Sequence, residues 1–341
     1  MTTAPEPKPE LTDERATPRR RFDPMAFLER YALVLLVVVL CLFFACYGPT
    51  HSVFPTAANW RNMLGNQTVV AVAALAILLP LMCNQFDLSI GANIGLSAIT
   101  AAACFERLDA PWILALLVGV LTGLVVGVVN GLIVVRFGVM SLIATLGTTS
   151  LIEGFVSWFT HGQFIQKNVP TGLVDFGAKL WVGVPRVTFA VAAIALVVYY
   201  LQQHTPYGRE LASIGDNPVA ARLNGINVKA RIFSSFAASG VLAGVAGVLL
   251  LARSGAGNPQ VGPGYTLAAL SAAFLGATAI RPGRFNVIGT VVGVLLVAVS
   301  VNGLVLAGAA DWVEPAFDGA ALLGAVGIAA YITRRRSGQA T

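Results

Sequence analysis

Apolar runs that approach the thickness of a bilayer recur ten times along the chain, at 31–47, 67–83, 88–104, 112–135, 139–159, 187–201, 232–251, 267–280, 287–307 and 316–332. A helix that crosses a membrane needs about 20 such residues, because hydrocarbon offers its backbone no other hydrogen-bond partner. Hydrophobic residues make up 56% of the chain and charged residues 11%, where soluble domains carry about a quarter charged. The mean hydropathy is +0.77. The sequence therefore predicts an all-α polytopic membrane protein with about ten transmembrane helices. Runs 187–201 and 267–280 are short, so they tilt little, extend into their flanks or are broken.

Basic residues orient the spans, since short cytoplasmic segments accumulate them. With the N-terminus inside, only Arg61, Arg107, Lys167, Lys179, Arg186 and Arg253 of the 22 Lys and Arg fall outside. Both termini are thus predicted to be cytoplasmic. Residues 1–30 read as a disordered tail, 31–333 as the membrane domain and 334–341 as a basic tail. The first apolar run starts late and follows a basic group, so it reads as a span and not a cleavable signal. The net charge of +6 does not imply nucleic acid, because the basic residues lie beside spans. Cys41, Cys46, Cys83 and Cys104 lie in or beside apolar runs without metal-ligand spacing, as small hydrophobes do.

One polar interruption, 202–231, is far longer than a turn between spans requires. Thr205-Pro206 and Asn217-Pro218 each set a capping residue before a proline suited to the first helical turn. Gly215 and Gly225 sit where helix ends favour a left-handed residue. The segment is predicted to form two short helices in tandem outside the membrane, facing the cytoplasm, and an ordered element of that kind meets a partner.

Asn130-Gly131-Leu132 and Asn302-Gly303-Leu304 lie in spans of opposite direction. This predicts an inverted repeat with halves of about 66–160 and 232–332, a device of transporters whose substrate route lies near the repeat interface. Gly119, Gly123, Gly127 and Gly131 repeat every four residues, a smooth face for close helix packing. Gly240, Gly244 and Gly247, and Gly289 with Gly293, do similar work. Pro80 and the polar run Asn84-Gln85-Phe86-Asp87 suggest a helix break, which at membrane depth must be buried or line a cavity. Asp87 is either a loop charge or part of that break. Ser89, Asn93, Asn130, Thr145, Thr148 and Asn302 are the other candidate route residues. Glu153 closes a polar cluster in the fifth run, facing either the bundle interior or the outer interface. There is no phosphate-binding G-x-x-x-x-G-K-[ST]. No metal-binding cluster and no grouping of nucleophile, base and orienter is present.

In order along the chain, Phe86-Asp-Leu-Ser-Ile-Gly91, Asn130-Gly-Leu132, Ala144-Thr-Leu-Gly-Thr148, the segment 214–228 (IGDNPVAARLNGINV), Gly262-Pro-Gly-Tyr265 and the Gly276–Arg284 turn resemble the monosaccharide (ribose-type) permease subunits of bacterial ATP-binding-cassette importers. These belong to the branched-chain amino acid/ribose permease superfamily. The resemblance implies a pore-forming subunit of the bacterial inner membrane that is not an enzyme and binds no cofactor. ATP and Mg would be used by two cytoplasmic ATPase subunits, a second permease would complete the pore, and a periplasmic sugar-binding protein would deliver a sugar or polyol. It also implies that Gly208, Arg209, Gly215, Asn217, Pro218, Ala221, Arg222 and Gly225 form the element that docks on the ATPase. The chain departs from the family pattern at Val219, at Gln85-Phe86 and at Arg281-Pro-Gly283. The rival readings are a permease for branched-chain amino acids and an ion-coupled secondary transporter.

Overall fold

The computed structural model describes residues 24–262 and 264–336, and the side-chain surroundings from residue 30 to residue 327. Among the described residues the fold is all-α apart from one small hairpin. Among the described residues six helices are long and apolar enough to cross a membrane: α2 (Ala57–Leu81), α4 (Trp112–Phe137), α5 (Ser141–Thr160), α7 (Arg186–His204), α10 (Val228–Ser254) and α12 (Val287–Leu306). The other four apolar runs lie on α1 (Pro24–Cys46), α3 (Ile90–Leu108), α11 (Gly264–Ala277) and α13 (Val313–Arg336). A short helix, α6 (Thr171–Ala178), and the two-stranded hairpin Leu180–Trp181 with Val184–Pro185 precede α7. Residues 24–30 and 334–336, expected in the tails, are helical. The rest of both tails lies outside the described residues.

The polar interruption folds as α8 (Pro206–Asp216) and α9 (Pro218–Leu223). Asn217 caps α9, its Oδ1 accepting from Val219 N and Ala220 N, each at 3.0 Å. Thr205 precedes α8 but spends its hydroxyl backwards, donating to Leu201 O at 2.6 Å. Gly225 takes the left-handed conformation at φ +81°. Gly215 does not: it lies within α8, and a Cβ there would stand 2.2 Å from the Met82 carbonyl oxygen. Its missing side chain serves a close approach and not a helix end. Pro80 likewise lies inside α2, which continues to Leu81.

Burial orders the bundle. In its most apolar stretch α2 is 78% buried against 17% for α7, so α2 is central and α7 peripheral. The α4 glycines face α10: a Cβ on Gly123 would lie 2.4 Å from Gly240 O, and one on Gly127 would lie 2.3 Å from Phe236 O. A second seam joins α11 to α12, where a Cβ on Gly289 would lie 2.1 Å from Gly276 O. Small residues let the backbones touch, so dispersion over a long contact replaces the hydrophobic drive that lipid cannot supply.

The short α11 has a structural cause. The chain reaches it through the non-helical segment 255–262, which runs along α3 with Gly257 near Ile99 and Ala102 and Gly262 against Gly91. Gly257 exchanges backbone hydrogen bonds with Ile165 at 2.7 and 3.0 Å, which pairs part of the irregular backbone.

Replacing Gly127 by Leu is expected to destabilise the protein by about 3 kcal/mol, the upper part of the range for overpacked cores. Gly147→Ala, whose Cβ meets nothing within 4 Å, is expected to leave the melting temperature within about 1 °C. Thermal unfolding of the detergent-solubilised chain checks both.

Candidate functional site

The polar residues singled out in the sequence converge on residues 82–89, between α2 and α3. Asn84 is left-handed at φ +56°, and the backbone then runs without helix through Gln85, Phe86 and Asp87. An irregular segment packed among apolar helices must find partners for its N–H and C=O groups. Helix α5 supplies them from one face. Ser141 Oγ accepts from Phe86 N at 3.0 Å and Thr145 Oγ1 accepts from Leu88 N at 3.1 Å. Thr149 Oγ1 donates to Leu88 O at 3.2 Å. The spacing 141, 145, 149 sets three hydroxyls one turn apart. Thr145 also donates back to Ser141 O at 2.8 Å, so it closes its own turn and still accepts from the break. On the other side Thr266 of α11 accepts from Gly91 N at 3.0 Å.

Asp87 is the centre of this arrangement. It is 2% exposed. Its Oδ1 accepts from Ser89 Oγ at 2.6 Å and from Ser89 N at 3.1 Å. Its Oδ2 accepts from Ser239 Oγ of α10 at 3.0 Å. The chain of donors continues outward: Asn130 Nδ2 donates to Ser89 Oγ at 2.8 Å, and Thr148 Oγ1 donates to Asn130 Oδ1 at 2.6 Å. The Asn130 amide donates to Ser89, whose hydroxyl donates in turn to the carboxyl group. The three ion pairs among the described residues lie elsewhere. Hydrogen bonds are therefore what hold the Asp87 carboxyl group.

The structure thus joins Asp87, Ser89, Asn130 and Thr148, with Ser239, in one buried network spanning α4, α5, α10 and the break, and Thr145 holds the adjacent backbone at Leu88 N. Asn93 is adjacent but separate, donating to Gly123 O of α4 at 3.2 Å and accepting from Ser97 Oγ at 3.4 Å. Asn302 lies elsewhere, in a reciprocal amide pair with Asn59 at 3.0 and 3.2 Å. Glu153 is exposed. Sequence reading passed over Ser141, Ser239 and Thr266, whose signal is only a hydroxyl at helical spacing. It also passed over Asp318 of α13. That residue is 4% exposed, and its Oδ1 has no hydrogen-bond partner among the described residues. A buried carboxylate five residues into a helix was a readable signal.

The network is anchored to α8. Asn84 Nδ2 donates to Gly215 O at 2.6 Å, and Leu211 O accepts from Cys83 Sγ at 3.7 Å. Leu211 and Ile214 are buried under α8. Gln202 at the end of α7 bridges to the start of α12, donating to Phe285 O at 2.8 Å and accepting from Val287 N at 3.0 Å. Arg231 pairs with Glu210 and sits 5.6 Å over the Tyr207 ring. Burial raises the Tyr207 phenol above its usual range, so it stays neutral and accepts from Ser234 Oγ at 3.4 Å. The outward side of α9 leaves Val219 and Leu223 66% and 84% exposed, with Arg222 exposed between them.

Asp87→Leu leaves three donors without an acceptor, at about 1–3 kcal/mol each. The protein is expected to lose most of its stability or fail to fold. Asp87→Asn keeps one acceptor oxygen and is expected to fold with a lowered melting temperature. Thermal unfolding of the two variants side by side checks the order.

No solved structure matches the chain. It is 29% identical to the ribose import permease protein RbsC of Escherichia coli K12, over 89% of this chain and 94% of that protein. It is 30% identical to the probable ABC transporter permease protein YphD of the same organism, over 91% and 92%. It is 26% identical to that organism's D-allose transport system permease protein AlsC, over 94% and 97%. The family described as the branched-chain amino acid transport system / permease component matches residues 60–326. The six membrane-length helices and this match make the chain a multi-pass protein of the bacterial inner membrane, and it belongs to that permease family.

Proposed function

We propose that this chain forms the translocation path of an ATP-binding-cassette importer for a monosaccharide or related polyol. The observation that carries the reading is the bond between α8 and the α2–α3 break. A short helix in the long polar interruption is tied, through Gly215 and Asn84, to the segment that holds the buried polar network. Movement of α8–α9 would thereby reach Asp87, Ser89 and Asn130.

In this reading the chain has ten spans, an inverted repeat and both ends in the cytoplasm, in keeping with ten apolar runs that each lie on a helix. The exposed Val219, Arg222 and Leu223 of α9 offer an apolar and basic surface to a cytoplasmic ATPase subunit. That partner supplies the ATP and Mg chemistry, and this chain has no ATPase site of its own. Two permeases, identical or paralogous, complete the pore, and a periplasmic binding protein supplies most of the selectivity. The sugar assignment rests on relatives whose names specify ribose import and D-allose transport. The family description names branched-chain amino acids instead, so an amino acid is the second reading.

The test is reconstitution of the chain with its ATPase and binding protein in proteoliposomes. Uptake of D-ribose or D-allose that requires ATP supports the reading. Uptake of leucine in their place supports the second. Uptake by the chain alone on an ion gradient overturns both. In the same system Arg222→Glu with Leu223→Asp is expected to cut ATP-driven uptake at least tenfold with unchanged membrane abundance. Asn217→Ala is expected to cost α9 about 1 kcal/mol of capping and to weaken coupling less.

A further inference from the structure

A cleft of about 530 Å³ opens between α8 and the turn that leads into α12. Its walls carry Arg209 and Asp216 from α8, Arg281 and Arg284 from the turn, and Gln203 and Asn84 from neighbouring segments. Arg284 Nη2 donates to Asp216 Oδ2 at 2.8 Å, which neutralises the one acid in the wall. The guanidinium groups of Arg209 and Arg281 and the amide of Gln203 have no partner among the described residues. The cleft thus holds two uncompensated positive charges and unspent donors. Guanidinium forks match phosphate oxygens in pairs.

We propose that this cleft binds a phosphate group, carried by the headgroup of an anionic lipid or present as free phosphate. No residue of α9 lines it, so the site leaves the α9 surface open to a protein partner. On the orientation proposed above, the cleft faces the inner leaflet, where anionic headgroups lie within reach of basic pockets between helices. That placement rests on the functional reading; the charge and the cavity do not. A bound phosphate would cross-link Arg209 of α8 to Arg281 of the turn, reinforcing the Asp216–Arg284 pair and the Gln202 bridge. The bland alternative is that the arginines are solvated charges that merely follow the positive-inside bias, in which case they bind nothing in particular.

The experiment uses the full chain in a neutral detergent, free of added lipid. Thermal unfolding is recorded with phosphatidylglycerol, with phosphatidylcholine, and with sodium phosphate against sodium chloride at equal ionic strength. The expected result is a rise in Tm of about 3 °C or more with phosphatidylglycerol and none with phosphatidylcholine. The rise should vanish in Arg209→Gln/Arg281→Gln and persist in Arg136→Gln, an exposed arginine outside the cleft. An equal rise with sodium phosphate alone, also lost in the double variant, identifies free phosphate as the source. If the double variant melts early without lipid, Arg281→Gln alone carries the comparison. No rise with either probe, or a rise that survives the substitutions, overturns the proposal. Failure of sugar uptake would not touch this result, since binding is read without transport.

Discussion

The structure depends on how one stretch of irregular backbone is kept paired where water is scarce. Between Cys83 and Ser89 the chain gives up helical hydrogen bonds against apolar helices, with Asp87 and Ser89 buried while Asn84 and Phe86 remain exposed. Each orphaned amide or carbonyl would cost several kcal/mol in hydrocarbon. Hydroxyls from α5 and α11, and the carboxylate of Asp87, meet that demand. The break is therefore specified by side chains on three other elements. Its partners lie on α5, α10 and α11.

The same logic explains the division of labour along α4. Its glycine face brings α10 to backbone contact, which places Ser239 beside Asp87. Two turns of α4 further toward its C-terminus, Asn130 reaches Ser89 from the same helix. Packing and polar satisfaction are not separate achievements here. Without the small residues, the helix that carries one of the two oxygens' donors would stand too far away.

Much of this was legible in sequence, where the governing physics is local. Ten apolar runs each lie on a helix because hydropathy over some 20 residues needs no knowledge of neighbours. The caps at Asn217 and the left-handed Gly225 were readable for the same reason. What failed to read were contacts between distant segments. Gly215 looked like a helix end, but its smallness answers to Met82, far away in the chain. Asn302 stood out as a polar position in an apolar run, and the sequence did not show that its amide pairs with Asn59. Thr145 can satisfy its own proton by donating to Ser141 O, and it does, yet a lone pair on it remained free to accept from Leu88 N. A hydroxyl has more bonding capacity than a helix consumes, and sequence cannot show where the surplus goes.

The Gln202 side chain has a mechanical consequence. One amide, donating to Phe285 O and accepting from Val287 N, pins the end of α7 to the start of α12. Gly208 presses α8 onto the backbone of that same residue, where a Cβ would meet Gln202 O at 2.2 Å. The base of α7, α8 and the foot of α12 are thus a single bracket, and Asn84 fastens the same bracket to the first half of the chain. A load applied at α9 is shared between both halves at once, so neither can tilt alone without breaking a side-chain amide contact.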